Sequence, residues 1–240
     1  MSNKKTAILF VLAAFSFTAK SQTADEIITK YITFTGGVQN WKKVKTITSS
    51  GTYNYGGLEF PFTSISKAPD LYKYVVTFKG KSFSQAYNGK EGWRIDGFKN
   101  EKEKTILKDK QATALANESD VELESAFIDY AKKGHTVILE GKDTVDKRLC
   151  YKIKLIRKNG DTSTCFFDSG SYALVKKQAV SKNSELDGSM LDIFYSNYLA
   201  TGGIKVPHKI TCRSNGQDVL IIMVKDVKLN LPVSDTIFNP

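Results

Sequence analysis

The chain has 240 residues, 41% of them hydrophobic and 25% charged, with a formal net charge of +10. That composition is too apolar for a disordered tail, and the length suffices to bury a core without covalent staples. The lysines are spread along the chain rather than clustered with aromatics, which argues against a nucleic-acid groove and for solvated outer faces of strands.

Residues 1–21 read as a signal peptide. Lys4 and Lys5 precede an apolar run over 7–17, and Ala19-Lys20-Ser21 offers small residues where a signal peptidase cuts, so cleavage is expected after Ser21. Losing Lys4, Lys5 and Lys20 takes the formal +10 to +7. No later stretch approaches the run of about 20 apolar residues that a membrane-spanning helix needs. An exported chain that does not span the membrane is expected, with residues 22–240 as a single domain.

Thr23-Ala24-Asp25-Glu26 is a capping box. It opens an amphipathic helix of about four turns with Ile27, Ile28, Tyr31 and Ile32 on one face, stopped by Gly36-Gly37. Strands follow over 45–55, 58–66 and 71–79. Gly80-Lys81 fits a type II′ hairpin, which would set Phe78 opposite Phe83, Val76 opposite Gln85 and Tyr74 opposite Tyr87. With an odd number of residues in the Pro69 loop, one face carries Leu58, Phe60, Phe62, Tyr72, Tyr74, Val76, Phe78, Phe83 and Tyr87.

The pattern changes over 97–134, a helical insertion of about 35 residues that interrupts the sheet, with helix-forming composition from Gln111 to Ala116. Ser119-Asp120-Val121-Glu122 is a second capping box. It predicts a helix with Leu123, Ala126, Phe127 and Tyr130 on one face and Gly134 at its end. Asn117-Glu118-Ser119 also matches a glycosylation sequon, read here as part of that helix start.

Strands resume over 135–141, 148–157, 161–168 and 172–182, with Asn159-Gly160, Ser169-Gly170 and Asp187-Gly188 as turns. A two-residue Asn159-Gly160 turn would pair Ile153 with Phe166, Leu155 with Thr164 and Lys154 with Cys165. Cys150 and Cys165 would then sit four residues out of register, about 13 Å along a strand, beyond the roughly 7 Å between Cα atoms that a disulfide spans. Buried free thiols are expected at Cys150, Cys165 and Cys212. Residues 190–240 give three more strands and a tail, and Asn215-Gly216 would pair Cys212 with Val219 and Ile210 with Ile221. The sum is ten or eleven antiparallel strands with helices. A sheet of that size curls, leaving a concave face for the helical segments to cover.

No catalytic constellation emerges. His135 and His208 stand apart in sequence, outside metal-ligand spacings, and no phosphate-loop, zinc-protease or nucleophile-elbow motif occurs. Neither enzymatic activity nor a cofactor or metal is expected. The positive signal is the apolar face, because a concave, mainly apolar cavity is how lipid sites are built.

Several stretches resemble a known family: Thr23-Ala24-Asp25-Glu26-Ile27-Ile28, Gly36-Gly37, Lys67-Ala68-Pro69, Gln85 through Trp93, Cys150-Tyr151-Lys152-Ile153, Gly203-Ile204-Lys205-Val206-Pro207, and Pro232 through Phe238. Together they are similar to the outer-membrane lipoprotein-sorting proteins related to the periplasmic lipoprotein carriers (LolA/LolB-like). The resemblance implies an α+β fold: a strongly curved antiparallel sheet, or unclosed barrel, with an N-terminal helix and a helical lid. It implies a periplasmic carrier or chaperone holding acyl chains of a lipid or lipoprotein between sheet and lid. The lining expected for that cavity is Phe60, Phe62, Tyr74, Val76, Phe78 and Phe83 from the sheet, with Phe127 and Tyr130 from the lid. The second reading is a cell-envelope interaction or sensor domain, with envelope proteins as partners and a filled core.

Overall fold

The computed structural model describes residues 22–123, 126–182 and 188–240. The expected signal peptide and its cleavage point, and Asp187 of the Asp187-Gly188 turn, lie outside the described residues.

The strands are β1 Thr46–Tyr55, β2 Leu58–Lys67, β3 Leu71–Phe78, β4 Lys81–Asn88, β5 Gly92–Asp96, β6 Thr105–Leu107, β7 Thr136–Val145, β8 Arg148–Ile156, β9 Thr162–Asp168, β10 Leu174–Val180, β11 Met190–Thr201, β12 Ile204–Ser214 and β13 Gln217–Leu229. They form one antiparallel sheet in the order β6-β5-β4-β3-β2-β1-β13-β12-β11-β10-β9-β8-β7. It consists of two meanders, β1 to β6 and β7 to β13, joined where β1 pairs β13. The edges β6 and β7 do not pair, so the sheet is unclosed. Thirteen strands exceed the ten or eleven expected, in part because β6 lies inside the stretch expected to be helical.

Helix α1, Ala24–Phe34, starts at the expected capping box, with Thr23 accepting from the Glu26 amide and Glu26 reaching back to the Thr23 amide. Its eleven residues make three turns rather than four. Ile27, Ile28 and Tyr31 are buried against Tyr151, Ile153, Leu155, Cys165 and Phe167 of β8 and β9. Burying each such side chain contributes about 1.5–3 kcal/mol, so packing holds the helix. It ends at Gly36 (φ +114°) and Gly37 (φ +83°). A Cβ on Gly36 would lie 2.2 Å from the Gly203 carbonyl oxygen, so only glycine lets the helix end press onto the β11–β12 turn. Helix α2, Val38–Trp41, then buries Trp41 with Val44, Ile47, Ile204 and Val227.

Three hairpin registers differ from expectation. In β3–β4 the turn is Lys79-Gly80, both at positive φ, so Phe78 faces Lys81 and Val76 faces Phe83. Two positive φ values make a type I′ turn rather than II′. The slip is two residues, so every side chain keeps its face. In β8–β9 the loop holds three residues, Lys158 to Gly160, with Gly160 at φ +86°, and Ile153 faces Cys165. That one-residue slip turns Cys165 onto the opposite face from the one expected. In β12–β13 the tip pairs as expected, but a shift between Cys212 and Arg213 sets Cys212 opposite Leu220 and Ile210 opposite Ile222. The Ala68-to-Asp70 loop does hold an odd number of residues, three, and Phe62 faces Val76. All three cysteines are free; Cys150 and Cys165 are buried and Cys212 is half-buried.

Helix α3, Asp109–Leu123, replaces the expected lid helix. It begins ten residues before Ser119. That residue lies within it, donating its hydroxyl to the Ala116 carbonyl rather than capping anything. Residues 126–134 form turns instead of helix.

The tail runs along the outer face of the sheet, opposite α3. Phe238 is fully buried, and Trp93 donates its indole N–H to the Phe238 carbonyl at 2.7 Å. Thr46 donates to Leu231 and Lys67 to Val233, so the tail is held along its length.

Candidate functional site

Ala112 and Leu115 of α3 pack on Tyr72, Tyr74, Tyr87 and Leu107, which marks the inner face of β3 to β6. Strand alternation then places Phe60, Phe62, Tyr74, Val76, Phe78 and Phe83 on that same face. The rings touch in sequence: Phe60 and Phe78 at 4.9 Å between centroids, Phe62 and Tyr74 at 5.9 Å, and Phe60 and Phe98 at 6.1 Å. Tyr53, from β1, bridges Phe60 and Tyr74, each at 6.3 Å. Phe62 and Val76 are buried, Phe60, Tyr74, Phe78 and Phe83 half-buried, and Leu58 and Tyr55 exposed at the rim.

Phe127 and Tyr130 lie elsewhere. Phe127 is 3% exposed and wedged edge-on between Tyr31 at 5.7 Å and Phe167 at 5.4 Å, in the core beneath α1. Tyr130 donates its hydroxyl to Asp25, and that bond holds its pKa up to about 12. The six sheet residues and the two insertion residues therefore belong to separate clusters, one under α3 and one under α1.

Helix α3 crosses the inner face as a strap. Its first half rests on β3 to β6, where a Cβ on Gly92 would already lie 3.0 Å from Leu115. Its second half is tied to the β8–β9 turn: Asn117 donates to Asp161 at 2.7 Å, Asn159 donates to Asn117 at 3.3 Å, and Lys182 pairs with Asp161. Burial would raise the Asp161 pKa, but the hydrogen bonds from Lys182 and Asn117 outweigh it and leave the carboxyl below its ordinary value.

Beneath the strap lies a polar floor. Glu118 retains accessible surface, yet the surrounding protein desolvates its carboxyl and raises its pKa. Tyr195 and Cys212 look onto the same region. Each is only half-buried, and burial nonetheless pushes the Tyr195 phenol up strongly and the Cys212 thiol to about 11. Sequence reasoning missed Tyr53, Phe98 and this polar floor. Tyr53 was accessible from its place in a strand beside β2; the floor depended on registers that a sequence leaves ambiguous.

A separate groove of about 150 Å³, lined by Lys154, Thr164, Gln178, Val180 and Met190, lies at the far end of β8 to β11, away from the aromatic field. Among the described residues no group of three or more His, Cys, Asp or Glu side chains could hold a metal, and no helix is long and apolar enough to cross a membrane.

No family model and no curated protein matches the sequence. Solved structures do. A DUF1329 family protein from Desulfovibrio piger superposes with a TM-score of 0.59 at 14% identity, covering 91% of this chain and 98% of that one. A LolA superfamily protein from Nitrosomonas europaea gives 0.57 at 13%, covering 92% and 99%. A putative outer membrane lipoprotein-sorting protein domain from Vibrio parahaemolyticus gives 0.56 at 12%, covering 90% and 95%. At such identities the likeness is one of fold, and it spans nearly the whole of each chain: this protein has a fold similar to those of the LolA superfamily protein and the lipoprotein-sorting domain.

Proposed function

We propose that this protein is an exported, periplasmic carrier or chaperone that holds acyl chains of a lipid or lipoprotein between the inner face of β1 to β4 and helix α3. The observation that carries the reading is the joined field of Tyr53, Phe60, Phe62, Tyr74 and Phe78, with Phe83 beside it opposite Val76, only partly covered by a helix. An acyl chain laid there leaves water at about 25 cal/mol per Å² of apolar surface, and no covalent chemistry is required. The proposed lining is Phe60, Phe62, Tyr74, Val76, Phe78 and Phe83. Phe127 and Tyr130 serve it indirectly, by fixing the segment behind α3 onto α1. The fold likeness to the lipoprotein-sorting domain supports this use of the cavity.

Native mass spectrometry of protein purified from a cell envelope tests the reading. The expected spectrum contains species heavier by a lipid, lost on delipidation and replaced by a neutral naphthylamine dye. A spectrum of bare protein that also fails to take up the dye overturns it.

A further inference from the structure

We infer that Lys177 is the headgroup contact of this cavity and that the cargo carries a single negative charge at one end of its acyl chain. The inference rests on the acyl-cavity reading above and adds the chemistry of the cargo.

Five strands set one row across the inner face. Ile153 pairs with Cys165, Cys165 with Lys177, Lys177 with Ile193, and Ile193 with Cys212. Lys177 is the one charged member of an otherwise apolar row. Its neighbour Lys176 points outward, over the ring of Phe166 at 4.3 Å. The cost of placing an ammonium inside is visible: burial lowers the Lys177 pKa.

A lysine kept inside for structural reasons is paired, because an uncompensated buried charge destabilises by several kcal/mol. The Lys177 ammonium makes neither a hydrogen bond nor an ion pair among the described residues. Glu118 of α3 and Arg157 beyond β8 act on it only through space, the first favouring its charge and the second opposing it. Burial keeps the thiols of Cys165 and Cys212 protonated to about pH 11, so neither supplies a countercharge. Glu118 and Arg157 carry opposite charges and offset one another, which leaves the single positive charge of Lys177 for the cargo to meet. A carboxylate or phosphodiester oxygen there satisfies an ammonium that the protein leaves unsatisfied.

The row also shows where the chain would run. From Lys177 the inner face continues through Ile193, then Tyr195 with Ile210, Ile222, Tyr53 and Phe60. That path crosses from β10 to β2, about 24 Å along the sheet at normal strand spacing, from the charged floor to the aromatic field.

A fatty-acid carboxylate and the phosphodiester of a glycerophospholipid both supply a single negative charge. Delipidated full-length protein is loaded with the neutral dye N-phenyl-1-naphthylamine. The dye is then displaced by oleate, by lysophosphatidylglycerol, by lysophosphatidylcholine, or by neutral monoolein. One or both of the anionic competitors should outcompete monoolein by about 10- to 100-fold, the range of a charge-assisted hydrogen bond, and which one does so identifies the headgroup. Lys177→Gln should abolish that advantage and Lys177→Arg should retain most of it, with circular dichroism confirming that each variant is folded. Equal displacement by oleate, lysophosphatidylglycerol and monoolein, or an advantage that survives Lys177→Gln, overturns the inference while the cavity reading stands. Failure of every competitor and of the dye to bind overturns both.

Discussion

Phe60 and Phe127 both sit against other aromatic rings, yet truncation should affect them in opposite ways. Phe127 is closed in on all sides between Tyr31 and Phe167, so Phe127→Ala should cost about 3–5 kcal/mol in denaturant unfolding. Dye affinity per folded molecule should be unchanged. Phe60 is half-buried at the edge of the space under α3. Phe60→Ala should cost nearer 1 kcal/mol and weaken dye binding several-fold. Equal stability losses with no effect on binding would show a filled interior. The thiols offer a second measurement at this scale. Burial holds Cys165 and Cys212 up to about 11, so both are almost wholly protonated at pH 8. Iodoacetamide should alkylate them only on unfolding, whereas rapid labelling of native protein would mean that the floor is open to bulk solvent.

Among the elements, α3 carries the mechanical argument. The polar tie at Asp161 has a depressed carboxyl, so its contribution is complete above the ordinary carboxylate range and is lost as pH falls through the lower folded value. Hydrogen exchange in α3 should therefore accelerate below about pH 4, ahead of exchange in β8 and β9. Asn117→Ala should reproduce part of that loosening at neutral pH, seen as faster dye exchange. An unchanged exchange rate in Asn117→Ala would remove the tie from the account. The helix-forming composition over 111–116 falls inside this helix, but its bounds were misjudged, and for a physical reason. A helix laid over a space needs no continuous apolar stripe, so Ala112 and Leu115 contact the sheet while Glu118 faces inward. The capping box at Ser119 was a coincidence of composition inside a longer helix. By contrast α1 was legible, since its cap is a contact between residues three apart and its stripe meets a solid core. The aromatic face was legible as well, because the two-residue error at Lys79-Gly80 preserves parity. The polar floor was not, because a three-residue loop at Lys158 to Gly160 and a shift beside Cys212 each move side chains in ways that the turn sequences do not announce.

Across the whole molecule the two halves of the interior differ in density. The half under α1 is a continuous core of Ile27, Ile28, Tyr31, Phe127, Ile153 and Phe167, while the half under α3 is lined by rings that remain partly accessible. Cargo should therefore protect α3 and β1 to β4 from hydrogen exchange and leave β8 and β9 nearly unchanged. Protection spread evenly over both halves would contradict a one-sided cavity.

The pairing of β1 with β13 has a consequence for how the protein is made. Among the described residues every other strand pairing is between neighbours in sequence, so each meander can zip up locally and fast, but the seam between them joins residues 47–54 to residues 221–229. It cannot close until almost the entire chain is available, and contacts of such separation are the slow ones. Gly51 lies on that seam, where a Cβ would meet the Met223 carbonyl oxygen at 1.9 Å. Gly51→Ala should leave the early, local phase of refolding intact and slow or abolish the last one. If the chain is exported as proposed, it would gain from this arrangement: β1 stays without one partner until β13 has arrived.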